Sequence, residues 1–129
     1  MKSNVEILEI ARQTLLIEAE SVKRLATHLN DNFSELVHQI LYLNARVIVT
    51  GIGKSAIIAQ KIVATFNSTG TPAIFMHAAD AIHGDLGMIQ KDDLVICISK
   101  SGNTPEIKVL IPLLKQGGNK LVGMVGDKD

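Results

Sequence analysis

Arg46-Val-Ile-Val-Thr-Gly-Ile-Gly-Lys-Ser55 is a short β-branched run that breaks into a glycine turn. Val47 to Thr50 does not alternate between apolar and charged residues, which marks a parallel strand buried on both faces. Ala73 to Met76, Leu94 to Ser99 and Leu121 to Val125 repeat the pattern, and Ala56 to Asn67 and Pro105 to Gln116 carry helical periodicity between them. Strand, helix, strand in repetition predicts an α/β fold, a doubly wound parallel sheet with right-handed crossovers.

Upstream of this region the pattern is helical. Ser3 and Glu6 stand at capping-box spacing, and Leu8, Leu15, Val22 and Leu29 recur every seven residues. A helix of about 26 residues is about 39 Å long, more than a small sheet needs as cover, so part of it is expected to pack on another subunit. Glu18 interrupts the seam and argues against a free-standing coiled coil. Asn32 and Glu35 repeat the capping spacing and predict a second helix ending near Leu43. The expected organisation is therefore residues 1–44 as N-terminal helices, packing on the domain and a neighbouring subunit, and 45–129 as the α/β domain.

Composition narrows the function. The 129 residues carry 13 Lys+Arg against 13 Asp+Glu and are 47% hydrophobic, a profile without a basic face for nucleic acid or anionic lipid. No apolar run approaches the roughly 20 residues of a membrane span. The one cysteine, Cys97, excludes a disulfide framework and points to a reducing compartment, so a cytoplasmic location is expected. Cys97 sits inside an apolar run and reads as an inert core residue.

In doubly wound sheets ligands bind beyond the carboxyl ends of the strands, where strand order reverses. After the first strand, Gly51 and Gly53 let backbone amides approach an anion, with Lys54 and the Ser55 hydroxyl in reach. The turn is not a Walker A loop, because Ile48 stands where that motif needs glycine, nor a dinucleotide fingerprint, whose third glycine would fall at Ala56. After the third strand comes Ser99-Lys-Ser-Gly-Asn-Thr-Pro-Glu106. Thr104 before Pro105 predicts a helix N-terminus whose free amides face the loop, and Ser99, Ser101, Asn103 and Thr104 surround it with short polar groups. Hydroxyls and amides without clustered charge suit a phosphate monoester. Glu106 lies in the first turn of that helix. Between the second and third strands, His77 to Gly87 carries two histidines, His77 and His83, as candidates for proton transfer. Their spacing of six does not argue for zinc.

The order of motifs, Gly51-Ile-Gly-Lys-Ser55, Ser68-Thr-Gly-Thr-Pro72, His83-Gly-Asp-Leu-Gly-Met88 and Ser99 to Glu106, resembles the sugar isomerase (SIS) domain of the arabinose-5-phosphate isomerases. The resemblance covers almost the whole chain. It implies a sheet of order 2-1-3-4-5, of which this chain holds 2-1-3-4, a homotetramer, and interconversion of D-ribulose 5-phosphate with D-arabinose 5-phosphate. That reaction feeds 3-deoxy-D-manno-octulosonate synthesis for lipopolysaccharide or capsule.

By the same resemblance, Lys54, Glu106 and His83 are catalytic or substrate-contacting. Ser99, Ser101, Gly102, Asn103 and Thr104 form the phosphate loop, with Gly53 and Ser55 beside it. Gly70 and Thr71 line the substrate site, and His77 is a position that can hold adventitious zinc, no cofactor being otherwise required. The family's fifth strand, final helices, later catalytic Glu and His and any appended CBS modules fall beyond residue 129, so the 129 residues alone are expected to be inactive and to associate through the edge left by Leu121 to Val125. A 6-phospho-3-hexuloisomerase, or a non-catalytic sugar-phosphate sensor of the kind found in transcription regulators, remains an alternative.

Overall fold

A computed structural model describes residues 2–126; residues 127–129 of the expected α/β domain lie outside the described residues. The chain divides into two compact units, one ending at Gln39 and the other starting at Ile40.

The first unit opens with α1 (Asn4–Leu25), followed by a 3-10 turn, Ala26–His28. The capping box forms as expected: the Ser3 amide donates to Glu6 Oε2 at 2.7 Å and the Glu6 amide to Ser3 Oγ at 3.3 Å. No residue of α1 is buried, and Leu8, Leu15, Val22 and Leu29 are each more than half exposed. The second helix, α2 (Asp31–Leu41), is capped differently from the expectation. Asn30, not Asn32, is the cap, its Oδ1 accepting from the Asn32 amide at 3.1 Å. Asn32 already lies inside the first turn, where a side chain has no orphan amide ahead of it to satisfy.

The second unit holds one parallel sheet of order β2-β1-β3-β4, built from β1 (Val47–Gly51), β2 (Ala73–His77), β3 (Leu94–Ser99) and β4 (Lys120–Val125). The connections contain α3 (Lys54–Ser68), then α4 (Ala78–Ala81) with a 3-10 turn at Asp85–Met88, then α5 (Pro105–Gln116). Every residue of β1 and β3 is buried. On one face Ile48, Met76, Val95 and Cys97 pack with Ala78 and Ala81 of α4 and with Ile107, Leu110 and Leu114 of α5. By the two-residue period of a strand, Val47, Val49, Leu94 and Ile96 turn to the other face, where α3 buries only Ala56 and Ala59 and so approaches closely. Burial pushes the Cys97 thiol upward, which keeps it protonated and unreactive. β4 departs from the expectation of burial on both faces. It is an edge strand with one neighbour, and Met124 and Val125 are exposed.

The base of the sheet is locked by Arg46 and Asp93. The Asp93 carboxylate is inaccessible to solvent and accepts four bonds: Arg46 Nε at 3.2 Å, Arg46 Nη2 at 2.6 Å, the Arg46 amide at 3.1 Å and the Gln90 amide at 2.8 Å. Bidentate pairing with further main-chain donors is what a buried carboxylate needs to remain charged. Among the described residues no helix is long and apolar enough to cross a membrane.

Candidate functional site

β1 and β3 are neighbours, yet the chain leaves them for opposite faces of the sheet, so a crevice opens between their carboxyl ends. On its β1 side, Gly51 has no room for a side chain: a Cβ there would lie 3.0 Å from the Ser55 carbonyl carbon. The first turn of α3 therefore sits directly over the strand end. Gly53 makes that turn possible with φ +58° and ψ −128°, a conformation that side chains oppose. No side chain caps α3, so its first amides, at Lys54 and Ser55, are open to an anion. Lys54 is exposed and Ser55 half-buried.

On the β3 side the loop closes on itself. Ser99 Oγ accepts from the Gly102 amide at 3.0 Å and Ser101 Oγ from the Asn103 amide at 3.2 Å, with Gly102 at φ +66°. Each hydroxyl uses a lone pair and keeps its proton, which remains available to an acceptor in the crevice. Thr104 holds the N-cap position of α5 and Pro105 the first helical position. The expected side-chain cap does not form. Thr104 Oγ1 is buried without a hydrogen-bond partner, leaving the Glu106 and Ile107 amides uncapped. Two uncapped helix N-termini thus meet serine hydroxyls at one crevice, and their partial positive charges favour an anion there. Glu106 is half-buried at the start of α5.

His77 ends β2 in register with Gly51, on the same edge of the sheet. Its Nδ1 accepts from the Ala79 amide at 3.3 Å, capping α4, and its ring lies edge-on to Phe75 at 6.2 Å. One ring nitrogen of His77 is engaged, and among the described residues no group of three or more His, Cys, Asp or Glu is placed to hold a metal ion. His83 follows α4, exposed, its amide bonded to Asp80 O at 3.0 Å.

Gly70 and Thr71 are not brought to the crevice. They precede β2, whose parallel course puts them at the opposite edge, about 16 Å or one strand length away. There they line a cavity of about 280 Å³ with Ile40, Leu43 and Ala45. Two features of the site region escaped the sequence reading. Thr50 Oγ1 is buried beneath the crevice without a partner, and a lone hydroxyl in a β-branched run is its only signal. The Arg46–Asp93 lock is signalled by an Arg and an Asp each standing immediately before an apolar strand.

Residues 40–129 match the family model of the SIS domain. The chain belongs to the SIS domain family. This SIS chain is 42% identical over 129 residues to the arabinose 5-phosphate isomerase KdsD of Pseudomonas aeruginosa, a match covering 100% of the chain and 40% of that protein. It is 45% identical over 120 residues to the arabinose 5-phosphate isomerase GutQ of Escherichia coli K12, covering 93% and 37% respectively. A solved structure of an E. coli CFT073 protein in complex with arabinose 5-phosphate matches with a TM-score of 0.91 at 40% identity, covering 96% of this chain and 66% of that one. The SIS chain thus spans about 40% of the length of the curated relatives it matches.

Proposed function

We propose that this SIS domain serves an aldose–ketose isomerase that interconverts D-arabinose 5-phosphate and D-ribulose 5-phosphate. The observation that carries the reading is the pair of uncapped helix N-termini, α3 and α5, opening on one crevice lined by Ser99 and Ser101. Such a site holds a phosphate by amides and hydroxyls, leaving the sugar carbons beyond it. Likeness to KdsD and GutQ supports the pentose phosphates as the pair.

In the reaction a base removes the proton on C2 of the aldose, a cis-enediolate forms, and the proton is returned at C1 while another moves between the two oxygens. Hydrogen travels as a proton, so no redox cofactor is required. Lys54 is the candidate for neutralising phosphate or enediolate charge, and Glu106 and His83 are the candidates for moving protons. The balanced charge of the chain supports a small-molecule partner rather than nucleic acid or membrane, and its single cysteine supports action in the cytoplasm. The exposed seam of α1 supports packing on another subunit, and the family resemblance supports a homotetramer as the assembly. The pathway served is 3-deoxy-D-manno-octulosonate synthesis for lipopolysaccharide or capsule.

The test is turnover of D-arabinose 5-phosphate by the intact protein, followed by NMR. Ribulose 5-phosphate must accumulate, and turnover of a hexulose 6-phosphate in its place would reassign the substrate. His83→Asn is expected to lower kcat/KM by about a hundredfold with thermal stability unchanged, because the exposed imidazole supports no core contact. Wild-type turnover in that variant would remove His83 from the reaction.

A further inference from the structure

His83 lies on the crossover between β2 and β3, and its imidazole makes no bond within the described residues. The residues before it are fixed by packing, Ala81 being buried and Ile82 lying on the core, and the segment itself is tied by main-chain bonds. Upstream, the His83 amide is tied to Asp80 O at 3.0 Å. Downstream, Gly84 at φ +144°, its amide bonded to Ala81 O at 3.4 Å, leads into the 3-10 turn Asp85–Met88, closed by Gly87 N to Gly84 O and Ile89 N to Leu86 O, each at 3.2 Å. Leu86 and Ile89 lay this turn on the core, but hydrophobic contact is non-directional and does not fix its rotation. Arg46 supplies a directional side-chain hold on this turn from outside the segment, as Asn119 does on Gln90 O and Lys91 O beyond it. Arg46 Nη2 donates to Met88 O at 2.9 Å, and the same nitrogen is held by Asp93 Oδ2 at 2.6 Å.

On the isomerase reading above, we infer that Arg46 is a positioning residue for His83, its guanidinium bracing the crossover at Met88 O while Asp93 braces the guanidinium. The fork geometry is the point. Arg46 engages both carboxylate oxygens and has a proton left for the carbonyl, whereas a lysine ammonium on a flexible stem would satisfy Asp93 and abandon Met88. The phosphate loop follows β3 and is no part of this crossover, so the brace at the base of the sheet reaches the site through residues 83–88 rather than through phosphate binding.

The experiment is Arg46→Lys in the intact protein, which retains the buried charge partner. Hydrogen exchange at Gly87 and Ile89 is expected to quicken at least tenfold while the Val49 and Ile96 amides keep their protection. In the isomerase assay kcat should fall about tenfold, with KM for the pentose phosphate within a factor of three. Wild-type behaviour in both arms overturns the inference, and so does either arm moving without the other. Loss of protection across β1 and β3 together, including failure to fold, overturns it too, because it would assign Arg46 to the sheet alone. If the wild-type protein turns over no phosphosugar, the isomerase reading fails, and the exchange arm alone still decides whether Arg46 braces the crossover.

Discussion

Replacing Ser101 by Glu raises KM for the phosphosugar by a hundredfold or more, with a much smaller change in kcat. The loop containing Ser101 closes against the uncapped start of α5, where the amide dipoles favour an anion. A carboxylate about 4 Å from one phosphate charge costs about 4 kcal/mol at an effective dielectric near 20. Solvent at this exposed position reduces that figure, and about 2.7 kcal/mol already corresponds to a hundredfold. Ser101→Ala is the control. It removes the bond to the Asn103 amide without adding charge, so its KM should rise by about tenfold at most. Steady-state kinetics at two ionic strengths separate the contributions, since salt narrows the gap between the Glu and Ala variants only if charge makes it. Equal KM values for the two variants would take the phosphate out of this loop.

Where the chain's local chemistry sets the structure, the sequence was enough. Leu94–Ser99 and Pro105–Gln116 match the expected strand and helix residue for residue, because an unbroken apolar run and a Thr-Pro start leave few alternatives. α3 begins at Lys54 rather than Ala56, since the positive φ of Gly53 turns the chain within a single residue. What was not legible depends on neighbours distant in sequence. Thr104 has the right residue and backbone for a cap, yet its hydroxyl is turned into the protein. The open edge at Leu121 to Val125 was expected from the strand order that the resemblance implies, whereas the apolar run alone reads as a strand buried on both faces. Gly70 and Thr71 are a different case. Topology places a segment that precedes a parallel strand at the far edge of the sheet, so within one chain they stand apart from the crevice.

Asp93→Ala is expected to cost about 3–5 kcal/mol of folding free energy, the loss typical when one partner of a buried ion pair is removed. The Ala variant leaves the Arg46 guanidinium, which is only a quarter exposed, without its counter-charge, and strips the Arg46 and Gln90 amides of their acceptor. The loss has a pH signature. Burial alone would raise the Asp93 carboxyl, but the bonds from the Arg46 side chain, the Gln90 amide and the Arg46 amide outweigh it and hold the group below the usual carboxylate value. A carboxyl depressed in the folded state stabilises fully above its unfolded value, near 4, and loses that contribution as pH falls through the folded value. Urea denaturation should therefore show the wild-type advantage over Asp93→Ala at full size at pH 7 and shrinking below about pH 4. A gap that stays constant down to pH 2 would mean that Asp93 acts through packing and not through its charge.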